Sequence, residues 1–135
     1  SLSEKLQVAP VLIHRRAEDA GRDKTLREQF NTVTARAVAP LNLLVEYCLP
    51  LTKVNGVMAA MKGPSAEQEV EQAKNAIRTL GGELMDCSEL ILPDGSHRFI
   101  IVIKKYRRLR QFIPVIPQKS PNLRCKMLYI CRSIV

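Results

Sequence analysis

Strands and helices alternating along the chain, one strongly amphipathic helix between residues 65 and 80, and a closing pair of strands joined by Pro93-Asp94-Gly95 predict an α/β fold. The sheet expected is mostly parallel and flanked by helices, as in doubly wound domains, with its last two strands antiparallel.

The first strand is predicted at VAPVLIH, residues 8–14, where β-forming residues cluster. The polar stretch RAEDAGRDKTLREQF that follows predicts a loop and a short helix, with Gly21 as a break ahead of that helix. Phe30 to Val38 returns to a β-type run, and Pro40 suits the first turn of the next helix because its missing N–H has no intrahelical partner there in any case. Arg36 therefore falls at a strand-to-helix junction, the place where open α/β sheets keep their ligands.

Leu41, Leu44, Val45 and Cys48 recur at helical spacing, Lys53-Val54-Asn55-Gly56 reads as a turn, and GVMAAMK as the strand beyond it. Ser65 with Gln68 three residues on reads as a capping box. Behind it Ala66, Val70, Ala73, Ile77 and Leu80 form one apolar stripe, which Gly81-Gly82 terminates. Glu67, Glu69 and Glu71 lie toward the positive end of this helix and Lys74 and Arg78 toward its negative end, so charge and dipole agree. Strands are expected near Glu83 to Leu92 and Arg98 to Lys105, with the Pro93-Asp94-Gly95 turn between them. After Lys105 three prolines fall within eight residues and no period follows. The expected organisation is a partial domain over residues 1–105 and an irregular basic tail over 106–135.

With 135 residues the chain has the size of one domain, and a hydrophobic fraction of 46% with 25% charged residues is ordinary globular composition. No apolar run reaches the roughly 20 residues of a membrane span and no secretory signal is visible, so a soluble cytoplasmic protein without a membrane partner is expected. Cys48, Cys87, Cys125 and Cys131 show neither C-x-x-C nor paired histidine spacing, which points to incidental thiols and no metal site. The net charge of +8 is carried by the end of the chain, because nine basic side chains and no acid follow residue 103. Lys104, Lys105, Arg107, Arg108 and Arg110 head that run and are candidates for contacting RNA phosphates, with a solvated terminus as the plain alternative.

Six short motifs, RAED, TARAVAPL, EYCLPL, MKGP, LGGEL and LPDGSHRFIIVIKK, follow one another over residues 2–105, and in this order and spacing they resemble the ribosomal RNA small subunit methyltransferase G family, also called glucose-inhibited division protein B. The resemblance implies a class I, Rossmann-like fold that binds S-adenosylmethionine and methylates N7 of a guanine in 16S rRNA of the small ribosomal subunit. It also implies that Ala17 and Glu18 lie at the adenosine end of the cofactor, that Arg36 belongs to the same site, and that Lys62 and Gly63 lie on the substrate side. Read without the family, Glu18 is better read as a first-turn helix acid, and Lys62-Gly63 is equally a plain strand-to-helix turn. Guanine N7 carries a free lone pair, so the implied chemistry needs no general base and rests on positioning.

The sequence departs from the family pattern in three places. No G-x-G loop occurs, Arg15 stands where the family has glycine, and Asn31 where it has aspartate. The first two strands and the glycine-rich loop of the family are expected to be missing, which makes the chain an amino-terminally truncated piece, inactive by itself and with weak or no affinity for the cofactor. Its open sheet edges would allow oligomerisation. The alternative is a non-catalytic or decayed fragment that acts, if at all, by binding RNA through its basic tail.

Overall fold

The computed structural model describes Lys5, Ile13 and residues 15–36 and 39–109. The strand expected over 8–14, apart from Ile13, and the tail from Arg110 onward lie outside the described residues. The elements run α1 (Ala17–Arg22), β1 (Phe30–Arg36), α2 (Leu41–Cys48), β2 (Thr52–Lys62), α3 (Ala66–Thr79), β3 (Gly82–Ile91) and β4 (His97–Lys105). They build a four-stranded sheet of order β1-β2-β4-β3. β1 and β2 pair in parallel, and β4 pairs antiparallel with both β2 and β3. The α/β class and the terminal hairpin are therefore present as predicted.

Strand alternation sorts the side chains between two faces. Val33, Ala35, Met58, Ala60, Ile101 and Ile103 are buried and join the core with Leu41, Leu44 and Val45 of α2 and Val70, Ala73 and Ile77 of α3. Thr32, Thr34, Arg36, Met61 and Lys104 take the alternate positions. The predicted stripes of both helices are thus the ones that bury.

Local chemistry differs from the sequence reading at several points. The short helix begins at Ala17 and contains Gly21, which is no break. A Cβ at Gly21 would meet the Pro50 side chain at 3.2 Å, so the glycine serves close packing of α1 against the end of α2. Glu18 and Asp19 occupy its first turn, where the helix dipole favours acids. Lys53 to Gly56 do not end a strand: they form a bulge inside β2, with Asn55 at φ 67°, where the β1–β2 register shifts. Ser65 makes no cap bond to a helix N–H, so the capping box is not formed. Gly81, at φ 75°, does close α3 as expected, and its N–H bonds Arg78 O.

The largest correction concerns Lys105. Read as a candidate RNA contact, it is fully buried. Its ammonium donates to Leu49 O and Thr52 O, both at 2.8 Å, and pairs with Glu28 Oε1 at 2.8 Å. Glu28 also accepts the Leu109 N–H at 3.1 Å. Side chains on β4 alternate, and position 105 falls on the same side as Ile101 and Ile103, beneath the helices. Burial alone would raise the Glu28 carboxyl, but the bonds from Lys105 and Leu109 outweigh it and hold the group below its ordinary value. Burial lowers the Lys105 ammonium, offset in part by Glu28.

Lys105→Met removes the ammonium and leaves two buried carbonyls and Glu28 without their donor. Loss of one partner from a buried pair costs about 3–5 kcal/mol. Urea unfolding of the variant should show a loss of that order, and a change under about 1 kcal/mol would mean the contact is dispensable.

Candidate functional site

A cavity of about 510 Å³ opens at the carboxyl end of β2. Ala39 and Pro40 form one wall, Met61, Lys62 and Gly63 the floor. Ser65, Gln68, Glu69 and Gln72 of α3 face them. The location follows from topology, since the parallel pair β1–β2 sends both following loops to the same end of the sheet.

One ionic knot fixes this end. Lys62, at only 7% exposure, pairs with Glu69 Oε2 at 2.6 Å and donates to Ala39 O at 2.5 Å. The same carboxylate oxygen accepts the Leu41 N–H at 2.8 Å, which satisfies an otherwise orphaned donor at the start of α2. Ser65 Oγ donates to Glu69 Oε1 at 3.1 Å, which is where the hydroxyl assigned to a helix cap goes. Burial would raise the Glu69 carboxyl, yet the bonds from Lys62, Leu41 and Ser65 hold it below the ordinary value.

The sequence-derived candidates are not all brought together. Lys62 and Gly63 line the cavity, although the Lys62 ammonium is committed to Ala39 and Glu69. Arg36 ends β1, exposed, with Met61 as its register partner, and its guanidinium makes no hydrogen bond to another described residue. Ala17 and Glu18 lie in the first turn of α1. Glu18 stands beside Tyr47 of α2, whose phenol is raised first by burial and then by that carboxylate. α1 thus packs with the helices, whereas Arg36 takes the sheet positions that alternate with the buried ones. Ala17, Glu18 and Arg36 are not among the lining residues of the cavity.

Lys104, Arg107 and Arg108 are partly or fully exposed, and the Lys104 ammonium lies 5.3 Å from the centre of the Tyr106 ring. Arg107 also donates to Arg78 O at 3.0 Å. Because β4 is antiparallel to β2, Lys104 pairs with Val57 and this basic end lies roughly 17 Å along the sheet from Lys62, at about 3.3 Å per residue. Arg110 lies outside the described residues. Burial pushes the Cys48 thiol up to about 12, so it is an inert core group. Among the described residues no group of three His, Cys, Asp or Glu gathers that could hold a metal, and no helix is long and apolar enough to cross a membrane.

Glu69, Gln68 and Gln72 were not identified as site residues from sequence. The only available signal was their spacing: positions 65, 68, 69 and 72 fall on one side of a helix, next to the stripe that buries.

Comparison with known proteins gives the family. The family model for rRNA small subunit methyltransferase G matches residues 1–94. Relatives carrying the name ribosomal RNA small subunit methyltransferase G are 50% identical over 112 residues in Lactobacillus johnsonii, 42% over 123 in Clostridium botulinum and 46% over 125 in Oceanobacillus iheyensis. These alignments cover 82%, 90% and 89% of this chain but 44%, 51% and 52% of the relatives. The chain belongs to this family and spans about half the length of the curated relatives it matches.

Glu69→Gln removes the negative partner of a buried ammonium and should cost about 3–5 kcal/mol in urea unfolding at neutral pH. The pH dependence has a definite sign. The folded carboxyl titrates below its ordinary 4.5, so its contribution is present above pH 4.5 and is lost as pH falls through the folded value. Wild-type unfolding midpoints should drop over that acid window, and the variant should lack the Glu69 share of the drop. Parallel acid profiles for the two proteins would show that the knot contributes nothing.

Proposed function

Starting from membership of the rRNA small subunit methyltransferase G family, we propose that this chain is part of an S-adenosylmethionine-dependent methyltransferase that modifies N7 of a guanine in 16S rRNA. The observation that carries this reading is the family match over residues 1–94, reinforced by relatives of that name at 42–50% identity. The proposed ribosomal substrate supports a cytoplasmic location.

Ala17, Glu18 and Arg36 are proposed as the chain's contribution to the donor site of the complete enzyme. They supply a carboxylate and a guanidinium but no backbone cradle, so the chain alone is proposed to be inactive. Guanine N7 has a free lone pair, and acid–base catalysis is not required of this chain. What it supplies is positioning: the Lys62–Glu69 knot fixes Ala39 and the start of α2 against the end of β2.

The exposed cluster of Lys104, Arg107 and Arg108 with Tyr106 supports a second, separate role, a sequence-independent grip on RNA phosphates at the far end of the sheet. This grip accommodates both catalytic and purely RNA-binding forms of the protein.

Transfer of a tritiated methyl group from S-adenosylmethionine to small-subunit particles tests the first reading. The chain fused to the portion of the Lactobacillus johnsonii relative that it does not match should yield N7-methylguanosine, and Arg36→Ala in that fusion should reduce the rate at least about a hundredfold. Calorimetry on the unfused chain should detect no micromolar affinity for the donor. A folded fusion that leaves the particles unmethylated overturns the reading.

Binding of the chain to single-stranded RNA should weaken linearly with log salt. The double variant Arg107→Ala/Arg108→Ala should reduce the slope by about 0.7 per contact removed. An unchanged slope would place the phosphate contacts elsewhere.

A further inference from the structure

We infer that the cavity at the end of β2 is a nucleobase subsite, taking the target guanine with Gln68 and Gln72 reading its Watson–Crick edge. This deepens the methyltransferase reading above and rests on it.

Size and charge select the ligand class. A volume of about 510 Å³ falls within the range of roughly 300–1,000 Å³ in which small-molecule sites lie. The one cation in the wall, Lys62, is neutralised by Glu69 and bound to Ala39 O, and Glu67 and Glu69 put two acids in the first turn of α3. A phosphate would meet carboxylates there with no free ammonium to receive it. A neutral heterocycle meets no such opposition.

The remaining polar groups suit one base edge. Gln68 and Gln72 are four residues apart on α3, both line the cavity, and neither carboxamide makes a hydrogen bond to another described residue. Each carboxamide offers two donors and an acceptor, so the pair can receive the N1–H and N2–H donors of guanine and donate to its O6. Adenine presents one fewer group to such a pair.

Regiochemistry requires the same orientation. N7 lies on the opposite, Hoogsteen edge, and must remain open to the donor, so the base has to be recognised from its Watson–Crick side. Met61 also lines the cavity, from a strand position that alternates with that of Lys62. Its register partner on β1 is Arg36.

The test is binding of the chain to short single-stranded RNAs that are uridine throughout except for one guanosine, adenosine or inosine. It is followed by the side-chain amide resonances of Gln68 and Gln72 and by fluorescence anisotropy. The guanosine RNA should shift both amides and bind tighter than the adenosine and inosine RNAs. Gln68→Ala/Gln72→Ala, two exposed positions, should cut the guanosine preference about tenfold while leaving the salt slope unchanged. Unmoved amides, equal affinity for all three RNAs, no binding, or a preference that survives the double variant each overturn the subsite. Methyl transfer by the fusion protein separates the two ideas. Transfer with a surviving guanosine preference in the variant refutes the subsite alone. A glutamine-dependent preference without transfer supports guanine recognition at this cavity and refutes the methyltransferase reading.

Discussion

One buried ammonium holds the amino-terminal ends of the parallel strands in place. Lys105 closes the last strand, and its three hydrogen-bonding directions go to the carbonyl that ends α2, the carbonyl that begins β2 and the carboxylate that precedes β1. A lysine with no exposure is costly to desolvate, and the cost is tolerable only because every donor is satisfied and a negative charge lies in contact. The position beyond the carboxyl end of α2 adds the favourable pole of the helix dipole. Segments far apart in the chain are thereby fixed relative to one another, and the segment after β4 is tied in through Glu28 and Leu109.

The opposite end of the sheet uses the same device. Lys62 lies on the same face as Lys105, one strand over, and is bound in the same way to a backbone carbonyl and a glutamate. Together the two knots hold α2 at both ends: Glu69 satisfies its first N–H, and Lys105 binds its last turn. A helix of eight residues has little stability of its own, so its orientation is set by these ends and by the apolar stripe between them.

The charges are distributed differently at the two ends of the sheet. At the carboxyl end of β2 the buried pair cancels itself and leaves a polar but uncharged cavity, suited to a base edge more than to a phosphate. At the far end Lys104, Arg107 and Arg108 stay in solvent, where long-range attraction to a polyanion is effective. An RNA that engages both ends would be held by its backbone at one and read by a base at the other.

Much of the secondary structure was legible because its signals are local. The stripe from Ala66 to Leu80, the spacing of Leu41 to Cys48 and the Pro93-Asp94-Gly95 turn each depend on neighbours within a few residues. The family was legible as well, because six short motifs kept their order. The site was less so. Lys105 sits in a run of basic residues that reads as a solvated patch, and its burial depends on Leu49, Thr52 and Glu28, none of them near it in sequence. Ser65 and Gln68 had the right spacing to cap a helix, but Lys62 draws Glu69 into a position that takes the serine hydroxyl instead. Sequence alone determined most of the described elements, their order and the family, since periodicity and motif spacing are properties of the chain. Which charges are buried, which pair, and which amides face the cavity were decided by tertiary structure, because desolvation and pairing act between groups that only folding brings into contact.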